Sequence, residues 1–262
     1  MKNYIIGAIH FPPLPGYPNY PGFDVACKNA LCDLYAFEKG GCNAVIIENN
    51  YDIPHKEKIT VEAKNEMIRL GKIIRKNTKL PIGVSVLWND YQSAFEIARS
   101  IGGEFIRIPV FVDDVKTSYG IMLAKADEIK IFRKENNMED IKIFTDIHVK
   151  HAEIISTNKI KESALIAIAK GSDALIITGK WTGDAPKIED LKEVREAVKD
   201  FLIICGSGVD KSNIHTLFKY ANGAIVSTSL KDGGEEDKIN IKSYEARISE
   251  TKITDLVNRL NL

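Results

Sequence analysis

The feature that most constrains the fold is an unbroken alternation of short apolar runs and longer amphipathic segments. The apolar runs are rich in isoleucine and valine and end at polar or glycine positions, as buried parallel strands do. They cover residues 4–10, 44–49, 82–88, 104–110, 141–149, 174–178, 201–206 and 224–228. Helices are predicted near residues 24–39, 60–77, 91–101, 117–136, 159–170, 187–199, 210–221 and 243–260.

Eight such units in 262 residues predict an α/β fold, a single (β/α)₈ TIM barrel domain over residues 1–262. A doubly wound open sheet is the alternative. It would usually have a glycine-rich turn after the first strand, where this chain has FPPLPGYPNYPG. Five of the nine prolines fall between Pro12 and Pro21. This stiff segment is either a rim or lid over the catalytic face or an ordered connector without a chemical role.

The charge balance excludes several classes of partner. Lysine plus arginine equals aspartate plus glutamate at 36 each, so no global field favours nucleic acid or an anionic membrane surface. No apolar run approaches the roughly 18 residues of an integral membrane segment, and the N-terminus is too polar for a signal peptide. The four cysteines, Cys27, Cys32, Cys42 and Cys205, lack the spacing of a zinc or redox motif. We therefore expect a cytoplasmic protein whose function resides in a local site.

The stretch FTDIHVKHA concentrates ionisable side chains where a buried strand is predicted. Alternate residues of a barrel strand point into the barrel, and functional groups gather at its carboxyl end. If the strand runs through residue 149, Asp146, His148 and Lys150 line the interior near the mouth, and His151 begins the loop. A metal site and a solvated loop end are the competing interpretations.

The other predicted strands also end in polar residues on the same side. His10 ends strand 1, Glu48 ends strand 2, Asn89 follows strand 3, Arg107 lies in strand 4 and Thr178 ends strand 6. Buried charges are costly unless paired, so Arg107, Asp146 and Glu48 are also candidates for a purely structural ion cluster. We predict catalytic roles for His10, Glu48, Asp146, His148 and Lys150, and substrate contacts for Asn89, Arg107 and Thr178.

Two turns after the last strands resemble a phosphate cradle. Gly206, Ser207 and Gly208 leave strand 7, and Ser227, Thr228 and Ser229 leave strand 8 at the start of a short helix. Backbone amides, hydroxyls and a helix N-terminus at this place bind phosphate in many barrels, and Lys231 could add charge. Glycine in a tight turn is weak evidence by itself; its position after strand 7, with a partner turn after strand 8, strengthens the phosphate interpretation.

The loop ITGKWTGD after strand 6 can close over a ligand. Thr178, Gly179 and Thr182 are predicted to contact substrate there. Trp181 either stacks on a base or sugar or packs beneath the loop.

The chain resembles the BtpA family, the group that includes photosystem I biogenesis proteins and SgcQ-like proteins. The segments that carry the resemblance span nearly the whole chain in order: GAIHFPPLPGYP, IIENNYD, PIGVSVLWND, FIRIPVF, TDIHVKHA, ALIITGKWTGD, CGSGVDKSNI and GAIVSTSLKDGG. The resemblance implies a barrel of the ribulose-phosphate-binding type. Where the family tends toward Val-Gly-Thr, this chain has Val226-Ser227-Thr228, which puts a side chain where backbone would approach a phosphate.

Two functions of different classes follow. The first is an enzyme that processes a phosphorylated small molecule, a sugar phosphate or a nucleotide, by acid–base chemistry. The second is a non-catalytic assembly factor, as the family name suggests. The cofactor is unknown; a divalent metal held by His10, Glu48, Asp146 and His148 is left open, because nitrogen and oxygen ligands suit zinc, manganese or iron. A homo-oligomer is the only protein partner that the sequence suggests.

Overall fold

The computed structural model describes residues 3–233 and 242–260. Eight strands pair in parallel, each with the next along the chain, and β8 pairs with β1 to close the barrel. The strands are β1 (Tyr4–His10), β2 (Ala44–Glu48), β3 (Ile82–Ser85), β4 (Phe105–Ile108), β5 (Lys142–Ile147), β6 (Ala174–Ile177), β7 (Ile203–Cys205) and β8 (Gly223–Val226). The predicted (β/α)₈ barrel is therefore confirmed.

The described chain forms a helix after each barrel strand. The helices are α1 (Phe23–Lys39), α2 (Val61–Asn77), α3 (Tyr91–Ile101), α4 (Ala126–Glu135), α5 (Ile160–Ala169), α6 (Ile188–Val198), α7 (Ile214–Leu217) and α8 (Glu250–Arg259). Their apolar faces and the outward side chains of the strands form the larger core cluster. In the part of the chain that the structure describes, no helix is both long and apolar enough to cross a bilayer.

The barrel interior is apolar at one end and polar at the other. Phe105 and Phe144 stack across it with ring centroids 4.6 Å apart. A Cβ atom at Gly83 would lie 2.1 Å from the Phe105 ring, so only glycine leaves room for this pair. Two residues farther along their strands, Arg107 and Asp146 replace apolar side chains. The period-two alternation thus carries the charged residues to the carboxyl end of the barrel.

The predicted helix over residues 117–136 is wrong before Ala126, where α4 begins. Val115–Thr117 and Gly120–Met122 form a hairpin, and Ala152–Ile154 adds a third strand to this outer sheet. The turn is closed by Thr117 Oγ1, which accepts a hydrogen bond from the Tyr119 amide and donates to the Gly120 carbonyl. Because the third strand comes from about 35 residues downstream, local periodicity did not reveal it.

Several other boundaries differ from the prediction. Helix α7 spans only Ile214–Leu217, and α8 begins at Glu250, after a short strand, Arg247–Ile248, that pairs with Lys231–Asp232. The proline-rich segment after β1 is an ordered connector: the buried Leu14 donates its amide to Asp52 Oδ1 at 2.8 Å, and none of residues 11–22 lines the cavity described below. These contacts match the second interpretation, the ordered connector.

Candidate active site

A cavity of about 860 Å³ opens at the carboxyl end of the barrel. Its floor is formed by side chains from the ends of β1, β2 and β4, namely Ala8, His10, Glu48 and Arg107. The loops after seven of the strands, β2 to β8, supply its walls. This is the end at which barrels place their functional groups, and the volume falls within the range typical of small-molecule sites.

Four ionisable residues form a chain at the cavity floor. The guanidinium of Arg107 donates two hydrogen bonds to the carboxylate of Asp146, both at 2.8 Å, and a third at 3.1 Å to Glu48 Oε1. The other oxygen of Glu48 lies 3.4 Å from His10 Nε2. Arg107, Glu48 and Asp146 are buried, so the bidentate geometry satisfies charges that would otherwise be very costly.

This arrangement sets the protonation states of His10 and Glu48. Burial raises the pKa of Glu48, but the hydrogen bond with His10 and the Arg107 guanidinium outweigh burial and hold the pKa at about 2. Burial lowers the pKa of His10, and the opposing hydrogen bond to Glu48 does not fully compensate. At neutral pH the pair is therefore a carboxylate beside a neutral imidazole, and Nδ1 of His10 has no hydrogen-bond partner among the described residues.

Lys150 lines the cavity beside this chain. Its backbone amide donates to Thr178 Oγ1 at 3.0 Å, whereas its Nζ makes no hydrogen bond or ion pair within residues 3–233 and 242–260. Burial lowers the pKa of Lys150 to about 8, and the nearby Arg107 guanidinium acts in the same direction. The side chain is thus an amine that can hold or release a proton near physiological pH.

The lowered pKa of Lys150 predicts a specific pH dependence of stability. The folded pKa is about 8 and an unfolded lysine titrates near 10.4, so between these values the unfolded chain binds more protons. The free energy of unfolding should then rise with pH across this window, and Lys150→Met should lose part of that rise. Urea unfolding at pH 7.5 and 9.5 measures this, with Lys192→Met on the exposed face of α6 as control. An identical pH dependence in wild type and Lys150→Met contradicts it.

The prediction that His148 lines the barrel interior is wrong. Strand β5 ends at Ile147, and His148 has a positive φ of 51°, so the alternation stops one residue before the histidine. Nε2 of His148 lies 3.4 Å from Ser163 Oγ on α5 and 4.0 Å from Asp113, and His148 does not line the cavity. The same break turns Val149 into the cavity wall, although continued strand alternation would point it at the helices.

Asp146 lies inside the barrel as predicted, but it does not line the cavity. Both of its oxygens accept hydrogen bonds from Arg107, whereas His148 lies against Ser163 and Asp113. With His148 outside the cavity, the four proposed metal ligands do not converge. Among the described residues, no group of three or more histidine, cysteine, aspartate or glutamate side chains has the geometry to hold a metal ion.

The turn after β7 lines the cavity with its backbone. Gly206, Ser207 and Gly208 all contribute to the wall, and the amides of Ser207 and Gly208 have no hydrogen-bond partner in the described chain. The Ser207 hydroxyl is occupied, because it donates to the Asp184 carbonyl at 2.7 Å and accepts from the Gly179 amide. Gly208 has a φ of 63°, and a Cβ atom there would lie 2.1 Å from the Ala185 nitrogen, so this turn requires glycine.

The turn after β8 contributes Ser227, Thr228 and Ser229 to the same cavity. Thr228 Oγ1 is free of hydrogen bonds to the described residues, and the buried Ser227 Oγ has no partner either; Ser229 donates to the Val209 carbonyl at 2.9 Å. The predicted short helix is one 3₁₀ turn, Thr228–Leu230, which is too short for a useful helix dipole. Lys231 follows with its Nζ 3.2 Å from Tyr51 Oη, and burial lowers the pKa of this lysine to about 8.

The predicted substrate-contacting residues divide into two groups. Arg107 and Thr182 line the cavity. Asn89 instead exchanges two hydrogen bonds with the Val110 backbone, which joins the loops after β3 and β4. Thr178 and Gly179 do not line the cavity either; they position Lys150 and Ser207. The three residues outside the wall hold the loops that form it.

Sequence reasoning missed most of the aromatic and imidazole residues in the wall. His55, Trp88 and Tyr119 come from the loops after β2, β3 and β4, and His151 and Trp181 from those after β5 and β6. Trp88 also packs with Val115 and Met122 of the outer sheet, which places the Tyr119 turn over the mouth. Only Trp181 was considered as a ligand contact. Trp88 and His151 lie in segments that the sequence singled out for other residues, whereas His55 and Tyr119 lie in loops without a motif. Folding brings all four together.

The closed parallel barrel, with a cavity at its carboxyl end lined by ionisable and aromatic residues, defines the class of this protein as a (β/α)₈ barrel. The chain belongs to the BtpA family, whose sequence profile matches residues 1–252. Photosystem I biogenesis protein BtpA from Synechocystis is 33% identical to it over 235 residues, 88% of this chain and 82% of that protein. The resemblance seen in the sequence is confirmed.

Solved structures with the same fold include two named for phosphorylated compounds. N-(5'-phosphoribosyl)anthranilate isomerase from Pyrococcus furiosus superposes with a TM-score of 0.59 and 14% identity, covering 99% of this chain and 100% of that chain. (S)-3-O-geranylgeranylglyceryl phosphate synthase from Thermoplasma acidophilum, bound to sn-glycerol-1-phosphate, gives 0.59 and 14%, covering 98% and 93%. At such identities the likeness establishes the fold alone.

Proposed function

We propose that this protein is an enzyme that acts on a phosphorylated small molecule by acid–base chemistry at the carboxyl end of the barrel. The phosphate binds to the turns Gly206–Gly208 and Ser227–Ser229. His10, Glu48 and Lys150 face the reacting part of the substrate. The observation that carries the proposal is that proton-transfer groups and uncommitted hydrogen-bond donors line the same cavity.

The phosphate donors are the amides of Ser207 and Gly208 together with the Thr228 hydroxyl. None of these groups bonds to another described residue, so each retains its capacity for a ligand. Ser227 lines the same wall, and its buried hydroxyl has no partner among the described residues. Lys231, also in the cavity wall, adds a positive charge when it is protonated. Backbone amides and hydroxyls in a partly closed site are well suited to phosphate oxygens.

The proton-transfer groups have distinct roles in this proposal. Glu48 is ionised and accepts a hydrogen bond from Nε2–H of the neutral His10. Nδ1 of His10 is then unprotonated and acts as the base. Lys150 is the proton donor, or stabilises negative charge that develops on an oxygen of the substrate. Arg107 and Asp146 are positioning residues, since they fix Glu48 and its charge beneath the cavity.

The fold comparisons are consistent with the proposed substrate class. Two barrels with this fold are named for phosphorylated compounds, and one of them was solved with sn-glycerol-1-phosphate. They do not identify a reaction for this chain. A cytoplasmic location, the single-domain organisation and a homo-oligomer remain predictions.

Thermal unfolding with inorganic phosphate, sn-glycerol-1-phosphate and ribose 5-phosphate tests the phosphate site. A ligand that binds the folded state raises the unfolding temperature in a concentration-dependent way. Thr228→Val preserves shape but removes one hydroxyl donor, so we expect roughly 10- to 100-fold weaker phosphate binding with little change in stability. Thr254→Val is the control, because Thr254 on α8 bonds only to its own helix. A flat response to every phosphorylated compound would overturn the proposal.

A non-catalytic assembly role is the second candidate. It is favoured by the name of the Synechocystis relative and by aliphatic side chains exposed on the outer sheet and α5: Ile121, Leu123, Ile155, Leu165 and Ile166. Exposed apolar side chains at this density can mark a protein interface. A pull-down with the Ile121→Ser and Leu165→Ser variants separates the enzyme from the assembly role. Neither position lines the cavity, so loss of a bound protein in these variants would favour the assembly role.

A further inference from the structure

We propose that the cavity contains a second subsite, formed by His55, Trp88, Tyr119, His151 and Trp181, that binds an uncharged planar ring attached to the phosphorylated substrate. The ligand class is a nucleoside monophosphate or a similar phosphate ester of an aromatic heterocycle. This inference rests on the proposed function, because it assigns the phosphate end of the same ligand to the turns after β7 and β8.

The size of the cavity requires more than a phosphate group. At about 860 Å³ it lies in the upper part of the range of roughly 300–1,000 Å³ that encloses ligands of drug size. A phosphate with a three-carbon chain fills only a small part of such a volume. A nucleotide-sized ligand fills more of it.

The order of the strands around the barrel separates the part of the cavity wall that would bind phosphate from the part that carries aromatic and imidazole rings. The hydroxyl- and glycine-rich turns follow β7 and β8, whereas the five ring-bearing residues come from the loops after β2 to β6. The strands are adjacent in sequence order around the barrel, so the loops after β3 and β4 lie across the mouth from those after β7 and β8. A ligand with a phosphate at one end and a ring at the other matches this arrangement.

The ring-bearing residues occur in contacting pairs. The rings of His55 and Tyr119 meet edge to face with centroids 5.3 Å apart, and those of His151 and Trp181 do the same at 5.3 Å. Trp88 is buried against the outer sheet yet forms part of the cavity wall. Rings of this kind offer faces and edges on which a base can stack, a contact that any nucleobase can make.

The polar atoms among these rings favour an uncharged ligand group. Burial lowers the pKa of both His55 and His151 to about 4, so both imidazoles are neutral at pH 7. Nε2 of His151 is bonded to Thr182 Oγ1 at 2.7 Å, which holds that ring in place. Nδ1 of His55 is buried and has no partner in the described chain. Neutral imidazoles and a threonine hydroxyl suit the ring nitrogen, amino and carbonyl groups of an uncharged base.

The two tryptophans of the chain, Trp88 and Trp181, both line this cavity, so intrinsic fluorescence reports on it directly. The probes are adenosine, guanosine, cytidine and uridine 5'-monophosphates, compared with ribose 5-phosphate and inorganic phosphate. We expect at least one nucleoside monophosphate to bind at least tenfold more tightly than ribose 5-phosphate. The same nucleotide should quench the fluorescence of Trp88 in a Trp181→Phe variant.

Two substitutions in the cavity wall test where the planar ring of the ligand binds. Tyr119→Leu should reduce the affinity for the preferred nucleotide roughly tenfold while leaving the affinity for ribose 5-phosphate unchanged. His55→Leu removes the unpaired nitrogen and should have the same effect. It serves as the test if Tyr119→Leu destabilises the hairpin. Tyr35→Leu on the exposed side of α1 is the control, because Tyr35 bonds only to Asn77 far from the cavity.

The outcomes are distinguishable. If ribose 5-phosphate binds as tightly as every nucleoside monophosphate, the ring subsite is overturned and the phosphate site stands. Equal losses of both ligands in Tyr119→Leu and His55→Leu, with Tyr35→Leu unaffected, also overturn the ring subsite, because the rings would then serve only to shape the mouth. If no phosphorylated probe binds, the proposed function itself fails, and the inference fails with it.

Discussion

Replacing Arg107 by leucine should lower the free energy of unfolding at pH 7 by about 3–5 kcal/mol. The substitution leaves the carboxylates of Glu48 and Asp146 buried without the cation that makes three hydrogen bonds to them. The cost of an uncompensated buried charge, more than the loss of attraction, accounts for this magnitude. Urea unfolding followed by circular dichroism measures it.

The pH dependence identifies the cause of the Arg107→Leu effect. Without the guanidinium, which lowers the pKa of Glu48 in the wild type, the folded-state pKa of this buried carboxyl should rise above the unfolded value near 4, so the folded variant binds more protons than the unfolded chain. Its deficit relative to wild type should therefore shrink as pH falls from 7 toward 5. A deficit that does not change with pH would show that lost packing, and not unpaired charge, destabilises the variant.

A matched surface variant sets the scale for the Arg107 experiment. Lys170 pairs with Asp127 at 2.7 Å, but both side chains are largely exposed. Exposed pairs contribute little because water screens them, so Lys170→Met should cost less than about 1 kcal/mol. A loss of similar size in both variants would contradict the buried network as the main source of the Arg107 effect.

Gly208→Ala should abolish most phosphate binding and destabilise the fold. A residue with a side chain pays roughly 1–2 kcal/mol in the left-handed region that Gly208 occupies. The added Cβ would also lie 2.1 Å from the Ala185 nitrogen and 2.2 Å from the Asp184 carbonyl carbon, so one of the two loops must shift. That contact costs a further 1–3 kcal/mol, approximately, and displaces the free amides of Ser207 and Gly208.

Gly102→Ala is the control for Gly208→Ala. Gly102 has a φ of 68°, close to the 63° of Gly208, but the nearest atom to a new Cβ there is Arg75 Cδ at 3.9 Å. Gly102→Ala should therefore lose only the stability that a side chain costs in the left-handed region, and phosphate should still stabilise this variant. Thermal unfolding with and without ribose 5-phosphate compares the two variants. Retention of the ligand shift in Gly208→Ala would remove this turn from the proposed phosphate site.

The extent to which strand parity predicted the site depends on where each strand ends. His10, Glu48 and Arg107 were placed correctly, because each lies within a strand whose alternation continues to that residue. The same reasoning failed at His148, since the chain leaves β5 at Ile147 and turns through a positive φ. Lys150 reaches the cavity by a different route: a hydrogen bond from its amide to Thr178, on the next strand's end.

The residues that sequence reasoning missed lie in loops. Trp88 and Tyr119 reach the cavity because the outer sheet joins Val115–Thr117 to Ala152–Ile154, segments far apart along the chain. No local pattern encodes that pairing. The same holds for His55 and His151, which lie in the loops after β2 and β5 and line a common wall.

The sequence by itself determined the barrel, its interior and the glycine- and serine-rich turns, because period-two alternation and turn chemistry act over a few neighbouring residues. Only the tertiary structure decided which polar groups are occupied and which remain available to a ligand. Asp146 and Arg107 neutralise each other, and His148 faces Ser163 and Asp113. Lys150 keeps an unpaired amine in the cavity, since partners are set by contacts between segments distant in the chain.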